Sequence, residues 1–221
     1  MNHPIRRVSR SKVQAQSSYD RLSRWYDILA SSERKYGLLG VQKLKLRAGE
    51  KALEIGFGAG RGLLALGQAV GPQGLVCGID LSPGMLNVAR RRLEAAQSAQ
   101  QSLPQFDLRL GDATHLPFER AAFDAILISF TLELFDTPEI PQVLSECRRV
   151  LRPGGRAAVV SLRQEDHWPV RLYEWFHEKL PALVDCRPIL AQAELKQAGF
   201  TVQEFAPHSL WGLPIEIIVA I

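Results

Sequence analysis

Apolar and polar residues change their spacing several times along the 221-residue chain, and each change predicts an element. Near the start, Ser17 and Asp20 form an S-x-x-D capping box, with Tyr19, Leu22, Tyr26 and Leu29 at helical spacing, so a first amphipathic helix is expected there. Residues 51–55 read as a strand running into the glycine cluster EIGFGAGRG (54–62). Leu63, Leu64 and Leu66 open a helix that ends near Gly71 and Pro72, and LVCGI (75–79) is a buried-type strand ending at Asp80. Ser82 and Pro83 give an N-cap followed by proline at the first helical position, ahead of the stripe Met85, Leu86, Ala89 and Leu93. After a polar stretch over 97–104, Phe106, Leu108 and Leu110 alternate with Asp107 and Arg109, the pattern of a half-exposed edge strand stopping at Gly111 and Asp112.

The most apolar strand is FDAILIS (123–129). Thr137 and Pro138 open another helix whose Val143, Leu144, Cys147 and Val150 face inward; LRPGG (151–155) ends it and leads to a strand over 157–162. A further helix is expected from about Pro188 to the cap at Gly199, then strands over 201–205 and 215–221 joined by the loop APHSLWGLP. Strands separated by helices require crossover connections, which means a parallel, doubly wound α/β sheet. The last pair has no helix between its members and should form an antiparallel hairpin at one edge.

Composition and charge narrow this little but usefully. With 46% hydrophobic and 23% charged residues, the chain is an ordinary globular protein, expected as a basic, flexible arm over 1–16 and a single domain over 17–221 with a small cap at 165–185. The net charge of +4 lies in the first twelve residues, where Arg6, Arg7, Arg10 and Lys12 meet no acid; the remainder has 23 residues of each sign. A pI near 9.1 therefore does not call for nucleic acid. The arm reads as a solvated start, with contact to an anionic membrane or a transit peptide as sharper alternatives. No apolar run approaches the ~18 residues of a membrane span. Cys77, Cys147 and Cys186 are isolated, which predicts an intracellular, cytoplasmic protein; no histidines pair at i, i+4, so no metal site is expected.

Glu54 to Gly60, Asp80, Asp112 and Ser129 each fall at the C-terminal end of a predicted strand, the rim where open α/β sheets bind ligands. Gly56, Gly58 and Gly60 permit a tight turn and close backbone approach. Asp80 is placed to accept from both hydroxyls of a ribose, and Asp112 with the Ala113 N–H could meet an adenine edge. Glu54 could hold an ammonium. Taken singly, these residues could be packing glycines, a cap and a turn; as a set they describe a nucleoside with a positively charged tail. The run E-x-G-x-G-x-G also differs from the G-x-G-x-x-G of dinucleotide folds.

The motifs LEIGFGAGRG (53–62), GIDLSPGML (78–86), LRLGDATHLPF (108–118), FDAILISF (123–130) and RRVLRPGG (148–155), in this order, resemble those of class I S-adenosylmethionine-dependent methyltransferases. The likeness covers about residues 45–205 and is nearest in style to quinone C-methyltransferases and phospholipid N-methyltransferases. It implies a Rossmann-like seven-stranded sheet of order 3-2-1-4-5-7-6 with strand seven antiparallel, and S-adenosyl-L-methionine as cofactor. By position, Gly56, Phe57, Gly58 and Gly60 would line its methionine portion, with Glu54 at the ammonium. Asp80 would take the ribose, Leu81 and Met85 would lie near the adenine, and Asp112 and Ala113 at its edge. Ser129 and Phe130 would border the methyl-transfer site. Many relatives have Asp at position 54, and Phe57 and Ala59 replace commoner small or polar residues; Phe57 could narrow the pocket.

A sulfonium methyl needs mainly an in-line nucleophile and excluded water, so no catalytic residue is assigned. Glu133, Asp136, His115 and His167 are the acid–base candidates near the rim, and Tyr26 could close over the cofactor. Segment 165–185 places Leu172, Phe176 and Leu180 on one stripe, Tyr173 beside it, and Trp168 and Trp175 off its centre. This favours a small, lipophilic or aromatic acceptor, such as a quinone precursor or phospholipid head group. SFTL (129–132) is not the N-P-P-Y run of DNA amino-methyltransferases, and the cysteine positions disfavour arsenic chemistry. A nucleotide-dependent (NAD(P)) oxidoreductase and a non-catalytic methyltransferase-like protein are the competing classes.

Overall fold

The computed structural model describes residues 33–99, 102–166, 168–179 and 186–221; the basic arm, the expected first helix and Tyr26 lie outside the described residues, as do His167 and Leu180. The chain enters with α1 (Arg34–Lys43) and continues β1 (Lys51–Ile55), α2 (Arg61–Val70), β2 (Leu75–Asp80), α3 (Pro83–Ala99), β3 (Gln105–Leu110) and β4 (Phe123–Ser129). After a 3-10 turn at Leu132–Leu134 come α4 (Ile140–Val150), β5 (Leu151–Leu162), α5 (Trp168–Lys179), α6 (Ala191–Gln197), β6 (Val202–Leu210) and β7 (Leu213–Ala220).

The seven strands form one sheet in the order β3-β2-β1-β4-β5-β7-β6. Pairs among β1 to β5 are parallel, and β7 runs antiparallel to both β5 and β6. Central strands are buried on both faces, which is why they read as unbroken apolar runs. In β4, Ile126 and Ile128 join the cluster under α4 and α6, while Ala125 and Leu127 join the one under α1, α2 and α3. Helix α1 approaches closely because Gly40 has no side chain: a Cβ there would sit 2.9 Å from Val160 and 3.2 Å from Leu127. The edge strand β3 leaves Leu110 47% exposed, as its alternation implied.

Four boundaries differ from expectation. LRPGG is not a connecting turn: β5 starts at Leu151 directly after α4, and its register with β4 jumps between Phe123 and Ala125. The extra residues bulge at Gly154 (φ +73), and Arg152 and Arg156 pair with Asp124 and Glu50 at 2.6 Å, fixing the bulge at the end of the sheet opposite the rim. APHSLWGLP is not a loop: β6 and β7 continue through it to a two-residue turn, Trp211-Gly212, with positive φ at both (52 and 83). Pro207 is tolerated because β6 is the sheet edge. Helix α4 begins at Ile140, not Thr137, because residues 137–139 form a turn in which the Glu139 N–H donates to the Asp136 carbonyl (2.8 Å); α6 begins at Ala191, not Pro188. Ile189 is held extended: its N–H donates to the Leu162 carbonyl (3.0 Å) and its carbonyl accepts from Gln164 (2.9 Å).

Candidate active site

The rim is organised by the turn after β1. The Gly56 N–H donates to the Ile79 carbonyl (2.8 Å), so the chain leaves β1 while still tied to β2. Gly56 has φ +69, and a Cβ there would overlap the Thr131 side chain, so glycine is required twice over. Asp80 locks the turn: one carboxylate oxygen accepts from the Gly58 N–H and the other from the Ser82 N–H, both at 2.9 Å. The Ser82 hydroxyl accepts from the Met85 N–H (3.1 Å), the cap expected for α3. Asp80 thus holds the glycine turn and the start of α3 together with one carboxylate.

Glu54 is 4% exposed, and its Oε2 has no hydrogen-bond partner among the described residues. Burial first, then the negative charge of Asp80, pushes its carboxyl well above the usual range, against a pull downward from the Leu63 N–H. A buried carboxyl oxygen left without a donor is a place for a cation or a donor to arrive.

Glu54, Gly56, Phe57, Gly58, Ser129 and Phe130 border one pocket of about 620 Å³, part of it open to solvent. Its other wall comes from Glu33 and the α1 residues Arg34, Gly37 and Leu38, with Arg61 and Gly62 from α2. The sequence reading missed these residues; the one available sign was the pair Gly37 and Gly40 in a helix, small residues where α1 must lie close to the sheet. Phe57 is among the residues that border this pocket. Its ring is 3% exposed and packs over Gly78, where a Cβ would sit 2.7 Å from the ring. Gly60, Asp80, Leu81, Met85, Asp112 and Ala113 do not line this pocket. Asp112 accepts from the Thr114 N–H (2.9 Å), Gly111 donates to the Asp80 carbonyl (3.0 Å), Met85 and Ala113 are buried, and Leu81 is half-buried. The set thus divides in two, joined through the Gly58–Asp80 hydrogen bond.

The methyltransferase-domain family matches residues 52–155 of this chain. A demethylmenaquinone methyltransferase of Lactobacillus johnsonii is 36% identical over 131 residues, 59% of this chain and 51% of the relative. One from Bacillus cereus is 33% identical over 151 residues, 66% and 61% respectively. The chain therefore spans less than two thirds of the length of these curated relatives. A crystal structure of a SAM-dependent methyltransferase from Aquifex aeolicus superposes with a TM-score of 0.60 at 22% identity, covering 81% of this chain and 86% of that one. Residues 52–155 thus resemble a methyltransferase domain, and the sheet has the fold of the SAM-dependent methyltransferase structure it superposes on. The antiparallel β7, paired between β5 and β6, is the feature that the resemblance implied and that a wholly parallel dinucleotide fold lacks.

Of the acid–base candidates, His115, Glu133 and Asp136 do not line the pocket. His115 is exposed, with Thr114 Oγ1 at 3.1 Å from its Nδ1. Glu133 is fully buried and accepts from the Leu162 N–H (3.3 Å), and Asp136 accepts from the Thr137 N–H (2.9 Å). Beside Phe130 lies an apolar cluster of Tyr36, Val160, Leu162, Ile215 and Ile217, with Tyr173 packed on it. Trp168 and Trp175 do not line it: they are 70% and 50% exposed, and Leu172 is 46% exposed, because α5 turns Val170 and Tyr173 inward instead. Burial pushes the Cys77 and Cys147 thiols up to about 12, which leaves them unreactive.

Proposed function

We propose that the chain transfers a methyl group from S-adenosyl-L-methionine to a small lipophilic or aromatic acceptor of the quinone-precursor kind. One observation carries this reading: the buried Glu54 carboxyl with a donorless oxygen, at the head of a glycine turn locked by Asp80. These residues fit the cofactor. Glu54 would hold the ammonium, and ionises when a cation replaces the water it has lost. The backbone at Gly56, Phe57, Gly58 and Gly60 would lie along the methionine portion, and the Asp80 carboxylate would accept from the ribose hydroxyls. Leu81 and Met85 would flank the adenine, with Asp112 and the Ala113 N–H at its edge.

When bound, the cofactor supplies an electrophilic methyl on a sulfonium. Ser129 and Phe130 border the place where an acceptor would meet it, and the apolar cluster behind Phe130 excludes water there. Positioning and desolvation then carry the rate, and an acceptor arriving as a phenolate needs no base. The demethylmenaquinone methyltransferases among the relatives support a quinol-like acceptor. Residues 17–221 would form one methyltransferase domain with a cap at 165–185. No helix among the described residues is long and apolar enough to cross a membrane. A cytoplasmic location, with the basic arm touching anionic membrane, fits this reading. The test is a labelled-methyl assay on the full chain with a quinol acceptor: label in the organic extract is the expected outcome, and label retained in the donor contradicts the reading.

A further inference from the structure

Strand order reverses between β1 and β4, and the two strands part at their C-terminal ends. Ile55 is the last residue of β1 in register with β4, opposite Ile128. Beyond it the Gly56 N–H turns to the Ile79 carbonyl of β2, while the Phe130 N–H turns the other way to the Val160 carbonyl of β5, each at 2.8 Å. Both residues take a left-handed backbone, Gly56 at φ +69 and Phe130 at φ +49. Glycine adopts that conformation freely; phenylalanine does so only where its surroundings hold it. The two diverging turns both border the pocket, through Gly56, Phe57 and Gly58 on one side and Ser129 and Phe130 on the other.

Thr131 spans the place where they part. It is buried, and its hydroxyl donates to the Ser129 carbonyl at 2.9 Å with the Gly56 carbonyl at 3.4 Å. A Cβ on Gly56 would overlap the Thr131 methyl and hydroxyl, so the threonine fills the space that the glycine leaves. One short β-branched side chain thus meets the ends of both strands, packing with one branch and bonding with the other. The chain that follows is fastened from the β5 side. Glu133 accepts from the Leu162 N–H (3.3 Å), the Leu134 N–H donates to the Thr131 carbonyl (3.0 Å), and the buried Arg187 donates to the Phe135 carbonyl (2.6 Å). Thr131 is therefore held on a fixed base and presses on the first residue of the glycine turn.

We propose that Thr131 is a positioning residue that sets the separation between the glycine turn, along which the cofactor would lie, and the Ser129–Phe130 turn, beside which the acceptor would lie. Thr131 is not among the residues that border the pocket, so it acts through the two turns and not on a reactant. Methyl transfer needs the donor carbon and the nucleophile at near-attack distance, and a misplacement of about 1 Å costs on the order of a hundredfold in rate. A change in the gap between the turns therefore slows transfer while each turn keeps its own ligand. The inference deepens the proposed function and rests on it for what is positioned; the coupling of the two turns rests on the contacts alone.

The experiment compares Thr131→Val, which keeps the shape and removes the hydroxyl, with Thr131→Ser, which keeps the hydroxyl, both in the full chain. Amide hydrogen exchange is read first, without cofactor or acceptor. In Thr131→Val the Gly56 and Phe130 amides should exchange about tenfold faster, the worth of one hydrogen bond, while those of Ile126 and Val159 keep the parent rate. Labelled-methyl transfer to a quinol acceptor is read second. Thr131→Val should lower kcat about tenfold, with S-adenosyl-L-methionine affinity and acceptor KM within about twofold of the parent. Thr131→Ser should restore most of both properties. If Thr131→Val does not fold, Thr131→Ala takes its place with the same expectations. Unchanged exchange at Gly56 and Phe130 overturns the proposal, and so does faster exchange throughout the sheet, the mark of a structural role alone. A fall in cofactor affinity that matches the fall in kcat overturns it as well. A parent chain that transfers no methyl faults the proposed function, whereas the exchange comparison decides the coupling of the two turns independently of activity.

Discussion

Two glutamates show how burial turns the same side chain to different ends. Desolvation, then the charge of Asp80, push Glu54 towards its protonated form, so binding of a cation should displace a proton. Cofactor affinity should therefore rise with pH through the raised pKa, and calorimetry in buffers of different ionisation enthalpy should detect proton release. Glu54→Gln should weaken cofactor binding about tenfold or more, the worth of a charge-assisted contact, and abolish that release. Glu216 lies on β7 at 2% exposure, with Ser161 Oγ at 3.4 Å. Burial pushes it up to about 7, opposed by Arg163, the Ala191 N–H and Ser161 and aided by Glu165. Its folded pKa stands above the unfolded one, so the unfolded chain gives up its proton first as pH rises. Stability should then fall between about pH 4.5 and 7, by about 3 kcal/mol at most. Glu216→Gln should remove that fall in urea titrations at pH 5 and pH 8. Glu54 was legible because it heads a glycine run; Glu216 was not, because Pro-Ile-Glu-Ile reads as ordinary alternation until the pairing of β5 with β7 shows both faces covered.

Among the elements, strands with unbroken apolar runs and helices with explicit caps were read correctly from the chain alone. Ser82 and Pro83 set the start of α3, and Gly71 and Gly199 the ends of α2 and α6. The misread segments are those whose conformation is set by a distant partner. LRPGG carries the residues of a turn, yet ion pairs to Glu50 and Asp124 fasten it as a bulged strand. Pro207 and Ser209 carry the residues of a loop, yet pairing with β7 extends β6 through them. The same reasoning predicts the effect of replacing Trp211. Trp211→Asn supplies the residue preferred at the first position of a two-residue hairpin turn, and should raise stability by about 0.5–1 kcal/mol, read as a higher melting temperature. Gly40→Val should do the opposite. A branched side chain against Val160 and Leu127 would lift α1 from the sheet, lowering the melting temperature and opening the pocket wall that α1 provides.

Over the whole molecule, the ends of the sheet divide the work. At one end, Arg152 and Arg156 meet Glu50 and Asp124 in ion pairs that fasten strands. At the other, the glycine turn, Ser129 and the α1 wall enclose the pocket, and Asp80 fastens that turn through the Gly58 N–H. Basic pI, the most visible property of the composition, belongs to neither end: it resides in the first twelve residues. Half of the candidate site was readable because its residues terminate consecutive strands, which a doubly wound sheet must bring to one rim. The wall from α1 was not, since its place over β4 and β5 depends on packing and not on chain order. The account turns on one calorimetric titration of the full chain with S-adenosyl-L-methionine, set beside NAD and the Asp80→Ala variant. It predicts a single S-adenosyl-L-methionine site, no heat from NAD, and affinity reduced about tenfold or more by Asp80→Ala. Absence of S-adenosyl-L-methionine binding, or binding indifferent to Asp80→Ala, would contradict it.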